Sequence, residues 1–282
     1  MEPEAAGGAA GLTPDSAIRA YYGRGEEDGR LRDVRGQLEF LRTREILRRR
    51  LPPAPARILD VGGASGVHAA WLAADGHRVH LVDPIELHVE QARAAASAQP
   101  QAPFTAATGD ARALEEPDGS ADAVLLLGPL YHLTERADRV AALGEARRVL
   151  RPGGMAFAAA ISRFASLFDG LRQGFLADAE FRVALERTLR DGQHRNPTGH
   201  PEWFTTAYFH RPDELGDEIR EAGLELVEVV AVESVGWLVG RERWDDPDWR
   251  AIVLEACRTA EAEPALLGSG GHLIAFARRP LS

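Results

Sequence analysis

The chain has 282 residues, 45% of them hydrophobic, a single cysteine and a formal net charge of −10. That apolar content supports a core and excludes wholesale disorder; one cysteine, Cys257, excludes an internal disulfide framework and a Cys-rich zinc site. The acidic balance argues against a general phosphate-backbone binder, so no nucleic-acid partner is expected.

Residues 1–12 are small and expected to be unstructured, and they lack the basic region and apolar run of a secretory signal. With no apolar run of membrane-spanning length, a cytoplasmic protein without a membrane partner is expected. Residues 14–50 read as helical, with Leu38, Leu41, Ile46 and Leu47 near one face, and "PPAP" at 52–55 ends that stretch. From 57 to 160 the chain alternates. "ARILDV" is a buried strand, "VHAAWLAADG" a helix closed by Gly76, "HRVHLVD" a second strand and "IELHVEQARAAASA" a second helix. "APFTAATGDA" and "ADAVLLLGPLYHL" supply the third and fourth strands. "ADRVAALGEARRVLRPGG" is an amphipathic helix stopped by Pro152 and Gly153, and "MAFAAAIS" is a fifth strand. Such alternation implies a doubly wound, Rossmann-like α/β fold, mostly parallel, with helices on both faces.

The rhythm breaks over residues 161–211, an aromatic-rich segment too long for a plain loop, expected to form a helical lid. It then resumes as a helix in "RPDELGDEIREAG", a strand in "LELVEVVAVES", a helix in "DPDWRAIVLEACRTAEAE" and a closing strand in "GHLIAFARR". Cys257 falls in that last helix and reads as a packing residue. The expected organisation is an N-terminal helical cap over 1–50 and a main domain over 51–282 that carries the lid.

Asp60-Val61-Gly62-Gly63-Ala64-Ser65-Gly66 lies between the first strand and its helix. Glycines there admit positive φ and close ligand approach, and the helix N-terminus offers unpaired amides. Asp83 ends the second strand, where ribose hydroxyls are gripped, and Asp110 follows the third. Taken alone, the turn serves a dinucleotide or an adenosyl cofactor. Counting from Gly62, however, the third position is Ala64 and the sixth Val67, so the dinucleotide pattern G-x-G-x-x-G fails. Asp60 inside the strand would repel a pyrophosphate but suits the ammonium and sulfonium of S-adenosylmethionine.

At "ILDVGGASG", "VHLVDP", "GDARAL", "LLLGPLYHL" and "EARRVLRPGG" the chain resembles the class I S-adenosylmethionine-dependent methyltransferases, particularly the small-molecule group. Ala64 stands where that family's D-x-G-x-G-x-G motif has its middle glycine. The resemblance implies a seven-stranded sheet whose last strand inserts antiparallel. It implies that Asp60, Gly62, Gly63, Ala64 and Gly66 meet the methionine portion and that Asp83, followed by Pro84, takes the ribose. Asp110 and Ala111 would bracket adenine, and Leu127 and Gly128 would line the cofactor. A preceding helix closes over the cofactor in such enzymes, which makes Tyr21, Tyr22 and Arg35 candidates, Tyr22 foremost.

Methyl transfer needs positioning, water exclusion and, for some acceptors, a base. The candidate catalytic residues are His132 after the fourth strand and His200, Tyr208 and His210 in the lid, whose aromatic and polar mix suits a small-molecule pocket. The histidines lack metal-ligand spacing and no metal is expected. The expected activity is methyl transfer to oxygen, nitrogen or carbon of a small molecule, with secondary metabolism as the expected setting, by a monomer or homodimer. A peptide or protein methyltransferase and a non-catalytic S-adenosylmethionine-binding protein are the alternatives.

Overall fold

The structure is a computed structural model that describes residues 36–196, 198–200, 202–240 and 242–282. Tyr21, Tyr22, Arg35 and nearly all of the expected cap lie outside the described residues. The part of the cap that is described is helix α1 (Gln37–Arg50). Its Leu38 packs against Trp244, Val253 and Cys257, and its Ile46 and Leu47 join the core beneath the sheet. Arg42 is fully buried at the same contact, donating from Nε to the Val232 carbonyl at 3.1 Å and reaching Glu45 and Glu261 with its other nitrogens. This helix is thus built into the main body.

The alternating segment folds as β1 (Arg57–Val61), α2 (Val67–Ala74), β2 (Arg78–Asp83), α3 (Glu86–Ala98), β3 (Thr105–Thr108), β4 (Ala121–Leu126), α4 (Pro129–His132), α5 (Arg136–Val149) and β5 (Leu150–Ser162). Strands β1 and β4 are buried on both faces, which is why they read as unbroken apolar runs. Two boundaries differ from the sequence reading. Helix α5 ends at Val149, and Pro152 to Gly154 belong to the start of β5, where a register shift against β4 absorbs them. Strand β3 shrinks to four residues, leaving Asp110 on a connecting turn.

The rest of the chain forms α6 (Ala165–Gln173), α7 (Ala179–Asp191), β6 (Gln193–His194), β7 (Ala207–His210), α8 (Pro212–Glu221), β8 (Glu225–Ala231), α9 (Pro247–Ala260) and β9 (His272–Arg278). The main sheet runs β3-β2-β1-β4-β5, with β9 pairing antiparallel to β5 and β8 antiparallel to β9. This is the expected seven-strand arrangement with its antiparallel insertion. The lid carries its two helices and, in addition, the pair β6 and β7, the second of which runs parallel to the end of β5. Inside the lid, Phe181, Leu185 and Trp203 form a small core of their own. Cys257 is fully buried and its thiol donates to the Glu233 carbonyl at 3.0 Å. Among the described residues, no helix is long and apolar enough to cross a membrane.

Candidate functional site

A long cleft follows the carboxyl ends of β1, β2 and β4 and continues to β5 and β9, the edge at which open α/β sheets take ligands. Its floor begins at the turn after β1. Gly62 has φ 71°, and a Cβ there would lie 2.7 Å from Pro129 Cδ, so the turn can press against the start of α4 only without a side chain. At Gly63 a Cβ would meet Asp60 Oδ2 and Leu81 Cδ1, each at 2.7 Å. Ala64 adopts φ 48°, so alanine occupies the left-handed conformation that glycine fills more comfortably. Gly66 caps α2 against Phe104 and does not line the cleft, whereas Gly62, Gly63 and Ala64 do.

Two carboxylates define the electrostatics. Asp60 is fully buried, and neither of its oxygens has a hydrogen-bond partner of normal geometry. Burial, followed by the like charge of Asp83, pushes its carboxyl up to about 7, against a weak opposing pull from the Ala69 amide. Asp83 is occupied on both oxygens. Oδ2 accepts the Ala64 N–H at 3.0 Å, while Oδ1 accepts the Ile85 N–H and faces His88 Nδ1, also at 3.0 Å each. It therefore ties the glycine turn to the start of α3. Further along, Asp110 holds the backbone N–H of Arg112 at 2.8 Å and is paired with that residue's guanidinium, which also reaches Asp138. Pro84, Ala111, Leu127 and Gly128 complete this half of the lining.

The other half is built from Glu39, Thr43, Ala159, Val232, His272 and Ile274, with Tyr131, His132 and Leu133 forming a wall between the halves. The His132 ring lies against Tyr131 at 4.6 Å and stacks on Phe204 at 5.9 Å. The sequence reading does not single out Glu39, His88, Glu233 or His272. The one available signal was positional: a histidine opening a strand that inserts antiparallel must lie at the carboxyl edge of its parallel neighbours.

The remaining lid candidates lie elsewhere, and this corrects the expected acceptor pocket. His200 stacks on Trp203 at 4.8 Å, against the lid's own core. Tyr208 and His210, two apart on β7, share a face, and that face meets α5 and α8. Arg139 lies 3.7 Å over the Tyr208 ring, and fully buried His210 approaches Glu218 Oε2 with Nε2 at 3.2 Å. None of the three lines the cleft. His194 is likewise buried, stacked on Phe209, and burial lowers its ring to about 4.

Strand order, antiparallel insertion and a glycine turn flanked by acids define a doubly wound nucleotide-cofactor domain. Residues 58–154 match the family described as Methyltransferase domain. The chain is 38% identical over 116 residues to a ubiquinone/menaquinone biosynthesis C-methyltransferase of Acidiphilium cryptum, a match covering 40% of this chain and 45% of that protein. It is 29% identical over 194 residues to a ubiquinone biosynthesis O-methyltransferase of Xanthomonas axonopodis, covering 68% and 72% respectively. The first match thus spans less than half of its relative's length. Among solved structures, a Burkholderia thailandensis 1,6-didemethyltoxoflavin-N1-methyltransferase, solved with S-adenosylhomocysteine, superimposes with a TM-score of 0.55 at 18% identity, over 94% of this chain and 88% of that one. Over residues 58–154 the chain is thus similar to S-adenosylmethionine-dependent methyltransferases, and the solved structure shares its fold.

Proposed function

We propose that this protein transfers the methyl group of S-adenosylmethionine to a small-molecule acceptor held in the β5–β9 half of the cleft. The observation that carries the cofactor assignment is Asp60. A fully buried carboxylate with both oxygens unpartnered is costly unless a cation joins it. The cationic methionine end of the cofactor fits that need, and a pyrophosphate does not. Asp83, at the end of β2, would take the ribose hydroxyls, with Pro84 and Ile85 beside it. Asp110 and Ala111 would flank the adenine, and Leu127 and Gly128 the sulfur-bearing chain. When bound, the cofactor supplies an activated methyl and leaves as a neutral thioether. The protein's own part is to orient the acceptor, shut out water and accept a proton where the acceptor carries one. Tyr131 and His132, backed by Phe204, form an aromatic wall suited to a flat acceptor.

Calorimetry tests this reading. S-adenosylhomocysteine should bind in the micromolar range, and a nicotinamide dinucleotide should give no heat; the converse would sink the proposal. The pH dependence is a second, sharper check. Because the Asp60 carboxyl titrates near 7 before a cation arrives, cofactor binding must displace its proton at lower pH. The affinity should therefore rise about tenfold from pH 6 to pH 8, with proton release at the acidic end. Asp60→Asn should bind more weakly and show no such slope; a slope that survives the substitution would assign it to another group.

A further inference from the structure

We infer that His272, backed by Glu233, is the proton acceptor for a phenolic hydroxyl at the acceptor end of the cleft. This rests on the methyl-transfer reading above and adds to it a residue and an acceptor class. His272 opens β9, opposite Ile161 on β5, so the antiparallel strand delivers it to the carboxyl edge of the sheet. Its side chain lines the cleft and Glu233 behind it does not. Between Asp83 on β2 and His272 on β9 the sheet order β2-β1-β4-β5-β9 leaves four strand spacings, about 19 Å. A cofactor whose ribose is held at Asp83 and whose ammonium is held at Asp60 therefore ends short of His272, and the acceptor fills the interval.

The dyad is geometrically fixed. His272 Nδ1 lies 2.6 Å from Glu233 Oε1, and its backbone N–H donates to Oε2 at 2.9 Å. A carboxylate accepts only, so a neutral ring carries its hydrogen on Nδ1 and its lone pair on Nε2, across the ring from Glu233. Glu233 is itself completely buried and held by three neighbours: its carbonyl receives the Cys257 thiol at 3.0 Å and the Gly236 N–H at 2.9 Å, and its carboxylate grips β9. The next residue, Ser234, is buried with φ 46°, a left-handed conformation unusual for serine. Strain of this kind persists where the surroundings over-determine the backbone, and it tends to mark functional positions. Among the described residues, Glu39 from α1 also faces the ring, with Oε2 3.9 Å from Nδ1. The slot in front of the dyad is lined by Ala159, Ile274 and the Tyr131–His132 wall, which favours a flat aromatic acceptor.

In the step, the acceptor oxygen forms a bond to the methyl carbon as the carbon–sulfur bond breaks. The electron pair leaves with sulfur, and the hydroxyl proton passes to His272 Nε2 and from there to water. The test compares two probes in the full chain with S-adenosylmethionine: catechol, which is protonated at neutral pH, and 4-nitrocatechol, which ionises readily. His272→Gln should lower kcat on catechol about 100-fold, the scale of lost general-base assistance. It should lower kcat on 4-nitrocatechol less than about fivefold, since that probe arrives without needing a base. Affinity for S-adenosylhomocysteine should be unchanged. Glu233→Gln should shift the His272 ring hydrogen away from Nδ1, read by ¹⁵N imidazole resonances, with an intermediate loss on catechol. Equal losses on both probes, or none, would overturn the proton-acceptor role. Cofactor binding without methylation of either probe would overturn the phenolic acceptor, as would turnover lost to a chelator and restored by a divalent cation. Wild-type protein that binds no cofactor would overturn the parent reading and this one with it.

Discussion

Asp83→Ala is expected to weaken S-adenosylhomocysteine binding by at least about 100-fold, roughly 2.7 kcal/mol, in a calorimetric titration. Two losses combine. In the proposed complex the side chain grips the ribose, and in the protein alone it already accepts the Ala64 and Ile85 N–H groups, with His88 beside it. Alanine leaves those two amides without their acceptor, at about 1–3 kcal/mol for each that stays buried, and frees the turn that shapes the cofactor floor. Ala64 is the vulnerable point, because its left-handed conformation is held in place by that single bond from its amide. Asp83→Asn keeps one acceptor oxygen and should lose less affinity. His88→Ala removes only one of Asp83's partners and should cost under about tenfold. If Asp83→Ala binds the ligand within threefold of wild type, the ribose assignment is wrong and the residue serves only the turn.

The acids at the ends of strands were legible because position along a parallel strand determines position at the carboxyl edge. Asp60 lies next to the end of β1, Asp83 ends β2 and Asp110 follows β3, and all three line one cleft. The Glu233–His272 pair was not, since the two residues are 39 positions apart and meet only through the antiparallel insertion of β9. The lid histidines show the complementary failure. Alternation along "AYFH" places Tyr208 and His210 on one face, yet which face meets the cleft depends on how β7 pairs with β5, and no local pattern specifies that. His210 and Tyr208 thereby became part of a buried charge network.

That network yields the largest stability effect. Glu218→Gln should destabilise the protein by about 3–5 kcal/mol, the usual result of leaving one member of a buried ion pair unpaired. Arg139 and Glu218 are both about 1% exposed, with Arg139 Nη2 2.6 Å from Glu218 Oε1 and His210 on the other oxygen. The sign of the acid response follows from the two titrating groups. Burial opposes ionisation of Glu218, but bonds from His210 and Arg139 outweigh it and hold its carboxyl below the ordinary range. Its contribution is present above about pH 4.5 and lost as pH falls through the carboxylate range. Burial lowers the His210 ring despite Glu218, so its contribution is full above about pH 6.5 and declines below that value, where the unfolded chain takes up the proton. Urea midpoints should thus fall from pH 7 to pH 5, and His210→Gln should flatten that interval. A pH profile unchanged by His210→Gln, or Glu218→Gln without loss of stability, would show that the network is dispensable. The replacement Arg139→Met with Glu218→Leu should recover most of the stability, because no charge is then left buried alone. Function should recover less. Arg139 also donates from Nη1 to the Leu133 and Thr134 carbonyls, each at 2.9 Å, and so fixes the turn directly after His132. The double variant should therefore fold well yet hold the Tyr131–His132 wall more loosely, raising KM for the acceptor while leaving cofactor affinity near its wild-type value.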